Sequence, residues 1–424
     1  METLRVKRAF KYRFYPTTEQ AVELLRTFGC VRKVYNMALD VRSRAWTEEK
    51  RRVSYAATSS MLTEWKKEED LAFLAEVSSV PLQQSLRHLQ AAFSNFFTKR
   101  AQYPRFKSRK KSRAAAEYTR SAFTWRDGRL TLAKMDTPLD IRWSRRLPDG
   151  AEPSTVTVSR DSAGRWFVSI LVEDAGVRAL PAGDSAIGID VGINSLIALS
   201  TGEKVTNPRF HKRDTARLAA AQRELARKEK GSRNQAKARE KVARIHARIA
   251  DRRRDHLHKL TTRLVQENQL VVIEDLPVRG LMRNHTLART IADASWAELR
   301  SMLDYKCAWY GRELVVVDRF FPSSRTCALC GLIREALPLG VRQWTCEGCG
   351  TCHDRDHNAA ENILAAGLAV SACGAGVRPQ RNSSGRAVGD EAGKTMAQAV
   401  GAPPPRAGRR QTANSWKAMV CSTG

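Results

Sequence analysis

Ala186-Ile187-Gly188-Ile189-Asp190-Val191-Gly192 sets one carboxylate inside an apolar stretch, and Leu196-Ile197-Ala198-Leu199 follows after a short break. Two compact strands are predicted here. An unpaired charge in a buried strand is costly, so Asp190 needs compensation, and a divalent cation supplies it. Glu274 poses the same question at the end of Leu270-Val271-Val272-Ile273, a third strand. Asp356 adds another acid at the start of a predicted helix through Asn358, Ala359, Ala360 and Ile363. Carboxylates from separate strands and a helix of one α/β layer can converge on two Mg²⁺ ions at a phosphodiester. Taken singly, Asp190 could cap a turn, Glu274 could pair with a basic helix, and Asp356 could cap its own helix. Asp354 competes with Asp356, because residues two apart on a helix point about 200° from one another and at most one faces the metals. Asp354 is then a cap, with Arg355 available to phosphate.

The composition points to the partner. The chain has 424 residues and 47.5 kDa, enough for two or three domains, with a net charge of +29 and a pI near 10.3. Such an excess favours a polyanion, since each basic group that neutralises a phosphate releases condensed counterions. A hydrophobic content of 42% excludes a wholly disordered basic tail. No apolar run approaches a membrane span and Met1–Phe10 lacks a signal peptide's apolar core, so the expectation is a cytoplasmic, nucleoid-associated protein without membrane partners.

Around the acids, the remaining order is legible. Val6, Phe10, Tyr12 and Phe14 alternate with Lys7, Lys11 and Arg13 as an early strand with one basic face, which Pro16 ends. Thr17 and Gln20 make a capping box for a helical section that runs to about Lys111. From Tyr118 to Glu173 short alternating runs broken by Gly and Pro predict a small β-barrel that includes the first strand. Between Arg209 and Lys259 there are 18 Lys/Arg against 6 Asp/Glu, with helical apolar spacing on either side of Gly231-Ser232, a basic helical hairpin. Past Cys373 the chain turns to Gly, Ala, Ser, Pro and Arg, a mostly disordered tail over 373–424.

Cys327/Cys330 and Cys346/Cys349 form two C-x-x-C pairs with 15 residues between them, the spacing of a structural Zn²⁺ ribbon with four cysteine ligands. Cys352 and His353 lie just beyond as substitute ligands. Cys30, Cys307, Cys373 and Cys421 read as unpaired thiols. His256-Leu257-His258 matches the His-hydrophobic-His signature of single-strand transposases, but the surrounding pattern is helical and would turn the two imidazoles apart.

Four motifs in order, Gly188-Ile189-Asp190-Val191-Gly192-Ile193-Asn194, Ile273-Glu274-Asp275-Leu276, Phe321-Pro322-Ser323-Ser324-Arg325-Thr326-Cys327 and His353-Asp354-Arg355-Asp356-His357-Asn358-Ala359-Ala360, resemble TnpB, the RNA-guided nucleases of bacterial insertion sequences, related to type V CRISPR effectors. The resemblance extends from Tyr15-Pro16 through Pro104-Arg105-Phe106-Lys107 to about Pro379. It implies an α/β plus β-barrel fold: a RuvC-like, RNase H-type nuclease domain with an inserted zinc ribbon, preceded by a wedge β-barrel carrying a helical recognition insertion. The implied divisions are a wedge strand at 1–15, a recognition domain at 16–116 and the wedge barrel at 117–180. The first nuclease segment follows at 181–321 with the hairpin at 209–268, then the zinc ribbon at 322–351 and the second nuclease segment at 352–372. Asp190, Glu274 and Asp356 take the family's catalytic, magnesium-binding positions, which argues against nuclease-dead relatives. The resemblance further implies a guide RNA from the transposon end, a double-stranded DNA target beside a short motif, and cleavage of both strands by one site. Base-edge contacts are expected around Gln83, Gln84, Ser85 and Arg87, with Gln84 and Arg87 as the leading candidates. Lys107 and Arg325 are expected on nucleic acid. The alternatives are a miniature CRISPR effector with an array-derived guide, or an RNA-guided repressor; oligomeric state is not legible.

Overall fold

A computed structural model describes residues 6–338 and 340–372. The N-terminal portion begins with β1 (Val6–Tyr15) and α1 (Thr18–Glu49). The capping box is present: Thr17 Oγ1 accepts the Gln20 N–H at 3.2 Å, and Gln20 Oε1 accepts the Thr17 N–H at 3.1 Å. Next come α2 (Tyr55–Trp65), α3 (Phe73–Glu76) and α4 (Ser79–Phe97). Helix ends at Phe97 rather than near Lys111. Asn36 on α1 holds the following linker instead, exchanging two 2.8 Å hydrogen bonds with the Lys107 backbone.

Strands follow as β2 (Ala114–Thr119), β3 (Phe123–Arg126), β4 (Arg129–Leu132), β5 (Asp140–Arg142), β6 (Pro153–Arg160) and β7 (Trp166–Asp174). They pair as an antiparallel sheet of order β2-β6-β7-β1-β5 with a separate β3–β4 hairpin. In this order β2 and β5 lie at the ends, and the hairpin is tied toward both, Leu139 N–H bonding the Leu130 carbonyl at 2.8 Å and Ala133 N–H that of Ala122 at 2.9 Å. β2 also begins at Ala114, inside the 16–116 stretch expected to be the helical insertion. Phe10, Tyr12 and Phe14 face one core with Val156, Val158, Val168 and Ile170, as the alternation of β1 requires.

The C-terminal portion contains β8 (Ala186–Val191), β9 (Ser195–Leu199), β10 (Lys204–Thr206), α5 (Phe210–Arg213), α6 (Thr215–Ala226) and α7 (Arg233–Glu267). It continues with β11 (Leu270–Glu274), α8 (Val278–Leu281), α9 (Ala288–Ala294), α10 (Trp296–Tyr310) and β12 (Glu313–Val317). The sheet order is β10-β9-β8-β11-β12, antiparallel through β8 and parallel from β8 to β12. Ile187, Ile189, Val271 and Ile273 pack with Leu257, Leu264, Leu299 and Leu303 of α7 and α10. Val272, Val315 and Val317 face the other way, onto Ile363 of the last helix.

That helix, α11 (Arg355–Ala372), follows the short strands β13 (Gln343–Thr345) and β14 (Cys352–Asp354). It lies against the sheet because two glycines give it room. A Cβ on Gly188 would stand 2.2 Å from the Ala360 carbonyl, and one on Gly367 would stand 2.4 Å from Val272. The expected tail, with Cys373 and Cys421, lies outside the described residues. No helix among the described residues is long and apolar enough to cross a membrane.

Candidate functional site

Strand alternation settles which side the acids take. Ile189 pairs with Ile273 on neighbouring parallel strands, so Asp190 and Glu274 follow one step further on both. Both share the α11 side with Gly188 and Val272. Asp356 lies in the first turn of α11, beyond the carboxyl ends of those strands, where open α/β sheets place their ligand crevice. Burial and the nearby charges of Asp356 and Glu274 push the Asp190 carboxyl up to about 8, against the pull of Arg355 and Arg342. Glu274 is raised by burial and by Asp275. Asp275 stays anionic because Arg300 and Arg319 both hydrogen-bond it and hold it below the usual carboxylate range, against the effect of burial.

Asp354 ends β14 just before α11, so Asp354 and Asp356 do not share the helix and Asp354 caps it instead. It accepts the His357 N–H at 3.0 Å and pairs with Lys204 Nζ at 2.6 Å. Burial works against its charge, but Lys204 and the backbone N–H groups of His357 and Asp356 hold it low. Arg342 Nη1 donates to Asp356 at 3.3 Å, a contact between distant segments that no local sequence signal announces.

The four cysteines are the one group of metal-binding side chains among the described residues whose ligand atoms all lie within 4.8 Å of one another. The oxygens of the three acids are not gathered that tightly. Each C-x-x-C pair is a tight knuckle. Gly331 N–H bonds the Cys327 carbonyl and Gly350 N–H bonds that of Cys346, both at 2.9 Å. Both glycines have positive φ, 75° and 70°, which a side chain would strain. His353 Nε2 lies 3.0 Å from Cys327 Sγ, beside the cluster and outside the four-thiol set, while Cys352 is exposed. Two buried amides on α11 clamp this element. Asn358 and Asn362 each donate to the Thr326 carbonyl at 2.7 Å and to that of Ser323, and Asn358 accepts the Ala328 N–H at 2.9 Å. In the sequence Asn358 reads only as a helix marker, and nothing local signals this clamp.

Several residues expected on nucleic acid are engaged elsewhere. Gln84 is 7% exposed, because α4 packs against α1, α2 and β2 and so hides more of its circumference than one apolar stripe. Gln83 and Arg87 remain exposed, with Arg87 Nε 3.3 Å from the Tyr55 hydroxyl. Lys107 Nζ lies 3.8 Å over the Tyr35 ring. Arg325 Nη1 donates to the Glu335 carbonyl at 2.5 Å, stapling the cysteine element. A different basic cluster emerges on the outer face of β1. Lys11 is pushed below the usual lysine range by burial and then by Arg113, Arg254 and Arg165, which join it from β2's approach, α7 and β7's approach, against the pull of Asp161. His256 and His258 lie on α7 and diverge, the first against Phe210 and the second toward Tyr305.

Three family models match the chain. One described as "Probable transposase" covers residues 167–285, and a "Cas12f1-like, TNB domain" covers 296–363. A model described as a helix-turn-helix domain covers 1–51, where the described residues form β1 and the single long helix α1. A Streptomyces pristinaespiralis protein named "Putative RNA-guided DNA endonuclease" is 72% identical over 90% of this chain and 94% of its own. The similarly named InsQ of Escherichia coli K12 is 35% identical over 88% of this chain and 95% of its own. Among solved structures, a chain of a "Cas12f1-sgRNA-target DNA complex" matches with a TM-score of 0.55 at 14% identity, covering 85% of this chain and 99% of that one. At that identity the likeness is one of fold.

Proposed function

This chain belongs to the TnpB family, whose full-length relatives are named as RNA-guided DNA endonucleases, and from that premise we propose that it cuts double-stranded DNA under the direction of a bound RNA. What supports the reading is that Asp190 and Glu274 take the same side of neighbouring strands and that the charges of Asp356 and Glu274 reach Asp190. Burial, and after it the carboxylates of Asp356 and Glu274, raise the cost of ionising Asp190, and hard oxygen donors of this kind fit Mg²⁺. Two Mg²⁺ ions held by Asp190, Glu274 and Asp356 would supply the Lewis acidity that phosphodiester hydrolysis requires. The chain's own role is positional. Parallel pairing of β8 and β11 holds two acids level, and the glycine-lined seat of α11 brings the third over them.

The thiol cluster supports a structural Zn²⁺ held by Cys327, Cys330, Cys346 and Cys349. All four positions are protein sulfur, so this ion has no open site for chemistry. We assign residues 1–15 and 117–180 to a wedge, 16–116 to recognition of nucleic acid, 181–321 and 352–372 to the nuclease, and 322–351 to the zinc element. Lys11 and Arg113, beside an Arg165 paired with Asp161 and Asp251 and an Arg254 paired with Glu298, support a path for RNA and its hybrid with DNA. Gln83 and Arg87, not Gln84, are the candidates for reading the target-adjacent motif. The guide would come from the end of the element that encodes the protein.

Protein purified with its transposon-end RNA is to be mixed with Mg²⁺ and a plasmid carrying the matching target beside a randomised flank. Linear product is expected from wild type and only background from Asp190→Ala. Equal cutting by both would remove Asp190 from the site, and binding without cutting by wild type would favour the repressor.

A further inference from the structure

Where α1 and α4 end, the helical lobe holds a cavity of about 700 Å³ that the reading above leaves without a role. Its walls are aromatic. Phe93 and Phe97 stack with ring centroids 6.3 Å apart, and Tyr103 closes edge-on against Phe93 at 5.6 Å. Three large rings remain open to solvent, with Trp46 49%, Phe97 68% and Tyr103 44% exposed. Leaving that much aromatic surface wet in a lobe with a well-filled core calls for a partner.

The rim selects its chemistry. Arg42, Arg51 and Arg52 line the cavity, and no carboxylate does among the described residues. Arg42 already stands over Phe93, with Cζ 4.3 Å from the ring centroid, and Nη1 donates to Gln90 Oε1 at 3.0 Å. Arg51 pairs with Glu49 at 2.6 Å, while Arg52 makes no ion pair or side-chain hydrogen bond among the described residues. The C-terminal ends of α1 and α4 point here, and their carbonyl dipoles would repel an anion if the arginines were absent. Rings that offer faces, guanidinium planes beside them and free positive charge at the rim are what an unpaired nucleotide binds. An apolar peptide or a second copy would use the rings and leave the arginines unanswered.

We propose that this cavity seats an unpaired base of the guide RNA, stacked against Trp46 and Phe97, with Arg52 on its phosphate. The proposal rests on the RNA-guided reading. RNA is favoured over the DNA target because loops and bulges of a folded RNA present bases already out of the stack, whereas duplex DNA does not. The cavity also belongs to the recognition lobe and its core, separate from the packing around Asp190 and Glu274. A base held here is therefore an anchor, away from the bond being cut.

The RNA that copurifies with the wild-type chain is to be transcribed, end-labelled and titrated with wild type, Trp46→Ala, Phe97→Ala, Trp46→Phe and Arg52→Gln. Each alanine variant is expected to weaken binding about 5- to 140-fold, the equivalent of one lost base stack, while Trp46→Phe stays near wild type. Arg52→Gln should reduce the slope of log affinity against log salt by about 0.7 to 0.9. Phe97 is largely exposed and should melt like wild type as alanine, and for the half-buried Trp46 the melting temperature of Trp46→Ala, with Trp46→Phe beside it, separates lost stacking from lost folding. Wild-type RNA affinity in both alanine variants overturns the proposal. So does a defect confined to target-DNA binding or to the sedimentation coefficient, which would make DNA or a second copy the occupant. Failure of the wild-type chain to bind RNA at all would instead bring down the parent reading, and this one with it.

Discussion

Replacing Gly188 by alanine adds one methyl group at the seam between the sheet and α11. The new Cβ would stand 2.2 Å from the Ala360 carbonyl oxygen and 2.8 Å from both the backbone nitrogen and Cβ of Leu364. Real Cβ contacts essentially stop at 3.0 Å, so strand and helix must part by about 0.8 Å. The obstacle is helix backbone, which cannot rotate aside as a side chain would. Overpacking of this kind costs about 1 to 3 kcal/mol. For a nuclease core of this size that is a melting temperature lower by about 2 to 12 °C. Asp356 rides one turn before Ala360 on the displaced helix, and Asp190 lies two residues past Gly188 on the strand. A misplacement approaching 1 Å between catalytic groups costs on the order of 10²-fold in rate. Cleavage by Gly188→Ala should therefore fall by tens to about a hundredfold at a temperature where the fold is intact. Gly29→Ala is the control: nothing lies within 4 Å of its Cβ position in mid-helix, and removing a helical glycine should stabilise by about 0.5 to 1 kcal/mol. Scanning calorimetry and plasmid cleavage read both quantities. If Gly188→Ala melts within a degree of wild type and cuts at the wild-type rate, α11 does not seat on this glycine.

Three further outcomes follow from the same geometry. Without added Mg²⁺, the folded protein keeps a proton on Asp190 up to about pH 8 that the unfolded chain releases near the usual carboxylate value. The stability this contributes is full in acid and is lost as pH rises through about 8. Asp190→Asn should flatten that decline in melting temperature between pH 5.5 and 8.5, and an unchanged slope would contradict it. Asn358→Ala orphans the Ala328 N–H, while Asn362 still donates to the Thr326 carbonyl, a loss of about 1 to 3 kcal/mol. A thiol dye should then reach Cys327 faster than in wild type, whereas equal labelling rates would show that the clamp does not hold the knuckle. Cys346→Ser should lower bound zinc by atomic absorption from one per chain to near zero, and full occupancy in that variant would break the four-thiolate assignment.

Much of the molecule is readable from its sequence because the causes are local. Period-two alternation in β1, the Thr17/Gln20 box, the apolar runs that form β8, β9 and β11, and the knuckle spacing all follow from neighbours within a few residues. The helical phase around Leu257 is enough to turn His256 away from His258. Asp190 and Glu274 stand out for the same reason, since a carboxylate in or at the end of an apolar strand is conspicuous wherever that strand lies. What fails depends on which faces of an element are covered. Gln84 reads as exposed against one apolar stripe, yet α4 has three neighbours. Lys107 and Arg325 are expected on nucleic acid, and the partners they have within the chain, the Tyr35 ring and the Glu335 carbonyl, are set by the fold. Only tertiary packing could bring Arg342 to Asp356, set Asn358 and Asn362 under the cysteine element, and leave Trp46 and Phe97 facing solvent beside three arginines. Spacing along a chain determines the periodicity of an element, whereas the partner each face meets is decided when distant segments compete for the same surface.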